Sequence, residues 1–228
     1  MIVYKLTNKD RTTRNGTLWE IGVMNRTDGE GGLCGSGWLH CYEHPLLAVL
    51  HDPIHGAFGA SARMFRCEAG GQILKDGQMK MGCTELTPIE EIPLPSVTTI
   101  QRIAYAIYCA QCVYHDQWWN AWADKWLSGE DRTEEAAAAA ARAAARAAAK
   151  RVAGRAAKRV AAKRVAAADV AEWSARAAGM ASAKRVAWRS ADVAAAAARA
   201  AAAEWSARAA AKETNLIACA EKGVKIEK

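Results

Sequence analysis

Histidine and cysteine, the side chains best suited to hold a metal or to act as nucleophiles, cluster between residues 34 and 55 of this 228-residue chain. Cys34-x5-His40-Cys41-x2-His44 is followed by His51-x3-His55, which supplies enough thiolate and imidazole ligands for zinc. Cys34, His40, Cys41 and His44 are therefore the candidate metal ligands. Their spacing matches no standard finger or ribbon, and a strand here would point half of them to opposite faces. Cys109-x2-Cys112 falls inside a predicted helix instead of at its start, so the thiolate stabilisation of a redox motif is missing and core cysteines are the better account. No phosphate-binding glycine loop, nucleophile elbow or zinc-protease motif occurs, and neither a catalytic residue nor a cofactor is expected.

The elements that must position these groups suggest a small α+β head. Ile2 to Thr7 and Leu18 to Val23 are rich in β-branched and aromatic residues, and the Asn15-Gly16 turn between them predicts a hairpin. Cys34 to Cys41 reads as a strand, and Pro45 opens a short helix through Leu50. Ala62 to Glu68 and Met81 to Leu86 read as further strands about a turn at Asp76-Gly77. Thr98-Thr-Ile-Gln101 is a capping box, after which Ile100, Ile103, Ile107, Ala110 and Tyr114 recur at helical spacing. Asp116 caps a following helix, in which Trp119, Trp122 and Trp126 share one face before Gly129 ends it. Such a stripe could stack bases. A core seal between head and tail is the better reading.

The 51% hydrophobic fraction describes two materials, because much of it is alanine after residue 134. Residues 1–133 hold 12 Lys+Arg against 15 Asp+Glu, and residues 134–228 hold 19 against 9, so the overall +7 sums a head of −3 and a tail of +10. Such asymmetry suits an anionic partner or a solvated helix. From the Thr133 cap to about Lys212 alanine dominates without proline, interrupted only by Gly154 and Gly179. One long helix or two to three packed antiparallel helices are expected, with Trp173, Trp188 and Trp205 as packing residues. Ala-Glu-Trp-Ser-Ala-Arg-Ala-Ala occurs at 171–178 and 203–210, and Lys-Arg-Val recurs at 150, 158, 163 and 184. Their offsets share no period, which argues against a regular solenoid. Arg142, Arg146, Lys150, Arg151, Arg155, Lys158, Arg159, Lys163 and Arg164 form an acid-free basic run that could neutralise phosphates, although at 100° per residue they surround the helix instead of forming one face.

The run Cys34-Gly-Ser-Gly-Trp-Leu-His-Cys41, with Pro45-Leu-Leu-Ala-Val-Leu50 and Pro53-Ile-His55, resembles an uncharacterised domain family of phages, prophages and bacterial genomes. Its members pair a small N-terminal domain carrying a C-x-S-G-aromatic-H-x-C-x-x-P-L pattern with a repetitive, often alanine-rich C-terminal region. Here Leu39 stands where the pattern has its histidine, and His40 follows one place later. The resemblance implies a mobile-element setting and no established activity. Gly37 to Leu50 also resembles the strand-then-helix segment of ADP-ribosyltransferase-like folds, which implies a degenerate enzyme with a nicotinamide-dinucleotide pocket.

Four regions are expected: an α+β head at 1–97, a Trp-rich helical connector at 98–132, the alanine-rich helical region at 133–214 and a C-terminal segment at 215–228. The expected role is non-enzymatic, in assembly or protein binding through the tail, with a homo-oligomer or another protein as partner. Sequence-tolerant nucleic-acid binding through 142–164 is the alternative, and the transferase-like head a second. Met1 is followed directly by Ile2-Val3-Tyr4-Lys5 without a signal-peptide pattern, and the longest strongly apolar stretch, Ile103 to Tyr114, is far short of the roughly 20 residues of a membrane span. A cytoplasmic protein in the host cell interior, with reduced thiols and no membrane partner, is expected.

Overall fold

Strands β1 (Ile2–Thr7), β2 (Asn25–Arg26) and β3 (Leu39–Cys41), helix α1 (Pro45–His55), and the long hairpin strands β4 (Arg63–Asp76) and β5 (Lys80–Ile92) make up the first of two units, Met1–Ser96. The computed structural model describes residues 1–56, 58, 61–153 and 215–226. The sheet is antiparallel in the order β1-β4-β5-β2, with β3 also on β5. Its spine is the β4/β5 hairpin, which runs well beyond the strands expected at 62–68 and 81–86 and turns at Gly77.

Two register shifts in the hairpin, at Arg66/Cys67 and Gly70/Ile73, bend the sheet. Gly71 at the second has a φ of 65°, and a Cβ there would overlap the Thr84 hydroxyl, which accepts a 2.9 Å bond from the Gln72 amide. The bend carries the sheet round on itself. Tyr42, immediately after β3, exchanges two backbone hydrogen bonds of 2.8 and 2.9 Å with Tyr4 in β1. β1, β4, β5 and β3 thus enclose an interior filled by Val3, Phe65, Cys67, Met81, Cys83 and Trp19.

Two expected strands are corrected. Leu18–Val23 forms no hairpin with β1, because the longer β4 pairs with all of β1 from Ile2↔Glu68 to Thr7↔Arg63. The segment instead drops Trp19 into the core, where its indole N–H donates to Thr13 at 2.9 Å, and leaves Leu18, Ile21 and Val23 exposed. Of Cys34 to Cys41, only Leu39–Cys41 is strand, since the glycines before it turn the chain. Helix α1 begins at Pro45 as expected and continues to His55.

The second unit, Val97–Lys228, contains α2 (Thr99–Val113), α3 (Gln117–Ser128), α4 (Glu134–Ala153) and α5 (Leu216–Gly223). Each start signal expected in the sequence is present. Thr98 and Gln101 form the reciprocal capping box, Asp116 accepts from the Trp119 amide, and Gly129 ends α3 in the left-handed conformation. Thr133 accepts from the Ala136 amide at the head of α4. Trp119, Trp122 and Trp126 are buried with Ile103, Ile107 and Tyr114 on one side and Ala137, Ala140, Ala141 and Ala144 on the other. Their indole N–H groups find no hydrogen-bond partner among the described residues. Burying an indole removes on the order of 200 Å² from water, about 5 kcal/mol, against about 1–3 kcal/mol for the unmatched donor, so the apolar contribution prevails.

Helix α5 lies antiparallel on α2. The Gln101 side chain donates to the Val224 carbonyl at 2.7 Å, and a Cβ on Gly223 would stand 3.0 Å from the Tyr105 backbone nitrogen. Lys222 sits 5.8 Å over the Tyr108 ring, and Cys112 meets Cys219 one turn further along. No helix among the described residues is long and apolar enough to cross a membrane.

Candidate functional site

The structure gives the four candidate metal ligands four different tasks. Cys34 is exposed, and its sulfur accepts from the Lys80 amine at 3.3 Å. His40 projects from β3 on the face opposite Leu39 and Cys41, with its ring against the Leu33 carbonyl, and burial holds it below the ordinary imidazole value. Cys41 points into the sheet interior, and His44 caps α1 by accepting from the Leu46 amide at 3.3 Å. Among the described residues no group of three or more His, Cys, Asp or Glu side chains is placed to hold a metal ion.

What the interior does gather is Lys5 with three thiols. Alternation along β1 puts Lys5 on the inward face with Val3 and Thr7, and the register places Phe65 opposite Lys5 and Cys67 opposite Val3. Its amine donates to the His40 carbonyl at 2.7 Å and lies 4.6 Å from the centre of the Trp19 ring. Burial lowers the Lys5 pKa, opposed by the negative potential of Cys41, Cys67 and Cys83. Burial also pushes the Cys67 thiol up to about 12. Cys41 donates to Cys83, which raises the first and lowers the second, so Cys83 is the thiol of this pair that ionises first. With Lys5 at 8% exposure and all three thiols at 0%, the cluster is closed to a substrate and acts as a polar core. Lys5, Trp19, Cys67 and Cys83 carry no sequence motif; the available signal was Lys5 itself, a charge between Val3 and Thr7 at period two.

The second candidate region begins in α4. Ala137, Ala140, Ala141 and Ala144 recur at 3, 4 and 7 and are buried, while Glu134, Glu135 and Arg142 are exposed. Arg146, Lys150 and Arg151 continue the same helix. Arg155, Lys158, Arg159, Lys163 and Arg164 lie outside the described residues, as do Trp173, Trp188, Trp205 and the two glycines Gly154 and Gly179.

Residues 1–100 match a family model, the Domain of unknown function (DUF7666). The match spans the sheet unit and the first two residues of α2, and it includes the runs Cys34–Cys41, Pro45–Leu50 and Pro53–His55 that carry the resemblance to an uncharacterised domain family. No curated protein and no solved structure matches the chain.

Proposed function

We propose that the protein is a non-enzymatic assembly or partner-binding protein of a phage or prophage, whose alanine-rich residues 133–214 are helical and make the contact. The observation that supports this reading is the packing of α4. Its first turns bury alanines at i, i+3, i+4 and i+7 against the tryptophans of α3, so small side chains already serve as a packing face where this composition begins. The same composition continues beyond α4, and a helix with much propensity and little apolar bulk gains stability mainly from packing against another surface. Light scattering over a range of concentrations, on the full chain and on a variant lacking residues 155–214, tests it. The full chain should assemble with itself or with a co-purifying host or phage protein and the variant should not. Two monomers of unchanged behaviour would refute the proposal.

A second reading, nucleic-acid binding through 142–164, draws on the exposure of Arg142 at the head of the basic run. It predicts binding to duplex DNA or to RNA that falls steeply between low and moderate salt. An electrophoretic shift indifferent to replacing these nine Arg and Lys by Gln removes it.

A further inference from the structure

Cys112 and Cys219 lie 107 positions apart in the chain, yet their sulfur atoms are 3.7 Å apart where α5 packs on α2. This approach is fixed by more than the two thiols. Along the antiparallel pair, Gln101 meets Val224, the Tyr105 backbone meets Gly223, Tyr108 meets Lys222 and Cys112 meets Cys219, advancing by 4, 3 and 4 on α2. The register of two packed helices therefore aligns the sulfurs. Accessibility differs between them: Cys112 is exposed, whereas Cys219 is buried at 5% exposure. One thiol faces reagents in solvent and the other waits behind it, the arrangement of an attacking and a resolving cysteine.

We propose that Cys112 and Cys219 are a reversible oxidation site, a thiol clasp that a low-molecular-weight disulfide such as oxidised glutathione closes covalently across α2 and α5. In the first step the Cys112 thiolate attacks one sulfur of the glutathione disulfide. That S–S bond breaks, a Cys112–glutathione mixed disulfide forms, and the departing thiolate takes up the proton that Cys112 gave up. In the second step the Cys219 thiolate attacks the Cys112 sulfur, the Cys112–Cys219 bond forms, and the second glutathione leaves with the proton from Cys219. Two protein thiols lose two electrons and two protons, and one glutathione disulfide becomes two thiols. Closure places every residue between Cys112 and Cys219, α3 and α4 included, inside one covalent ring, across a contact that in the reduced state is non-covalent packing of α5 on α2.

The test uses the full-length protein treated with excess oxidised glutathione, quenched with acid and run without reductant. The expected result is a faster-migrating monomer that dithiothreitol returns to its original mobility. Tryptic mapping should join the peptide carrying Cys112 to the one carrying Cys219, with fragment ions placing the link at Cys112 and not at Cys109. Cys112→Ser and Cys219→Ser should each abolish the fast form, while Cys109→Ala and Cys34→Ser should keep it. Glutathione retained on Cys112 with Cys219 unmodified, a dimer joined through Cys112, or no reaction of Cys112 would each overturn the proposal. The wild-type peptide map decides among these outcomes even if a variant fails to fold.

Discussion

Lys5 shows how one residue can be chemically conspicuous and still belong to the core. Its amine is desolvated, so the charged form is disfavoured in the folded state, and one hydrogen bond to the His40 carbonyl together with the Trp19 ring offsets part of that cost. The sign of the linkage follows. The unfolded chain binds the proton more tightly than the native one, so the penalty is fully present below the lowered native value and disappears as pH rises toward 10.5. Denaturant unfolding of wild type and Lys5→Met should therefore show the variant gaining most relative to wild type at the acid end of the range, with the difference shrinking as pH rises toward 10.5. A difference that does not change with pH would mean that Lys5 titrates alike in both states. At this scale the sequence was legible only in part. His40 and Cys41 stand out as potential ligands, but their opposed directions depend on a three-residue strand whose position follows from pairing with β5. The burial of Lys5 depends on closure between Tyr4 and Tyr42, which no local pattern encodes.

Elements with their own start and stop chemistry were readable, and so was the presence of strands at Ile2–Thr7 and within β4 and β5, but how far those strands run and which of them pair was not. The capping box at Thr98, the Asp116 cap, the Gly129 stop and the tryptophan stripe are local arrangements of side chain and backbone, and all appear where the sequence places them. Leu18–Val23 has strand-forming residues, but β1 finds six consecutive partners in β4, and the competing run contributes a single isolated bridge through Leu18. The bulge that bends the hairpin was equally hidden, because Gly70-Gly71 reads as an ordinary turn until Thr84 is seen beside it. Gly71→Ala should then cost about 2 kcal/mol or more, combining a left-handed backbone with overlap on the Thr84 hydroxyl. Thermal unfolding would register this as a clear drop in Tm. An unchanged Tm would show that the bulge relaxes without penalty.

Across the whole molecule, the family match covers the sheet unit, and the helical unit combines a tryptophan core with a returning C-terminal helix. The return of α5 onto α2 could not be read from the sequence, since Leu216, Cys219, Ala220 and Gly223 form too short an amphipathic run to name their partner. Gly223 matters because its missing Cβ admits the α2 backbone. Gly223→Ala should lift α5 at a cost of about 1–3 kcal/mol, and amide hydrogen exchange in residues 216–224 should speed up while α3 keeps its protection. Equal protection in wild type and variant would contradict that close approach. The same docking has a consequence for chain length. The alanine-rich residues enter from α4, anchored by Ala137 to Ala144, and leave into α5, anchored on α2, so both ends are fixed by contacts outside residues 154–214. A change in the number of residues between these anchors should therefore leave the contacts of α4 with α3 and of α5 with α2 as they are, because none of the residues that make them lies between 154 and 214.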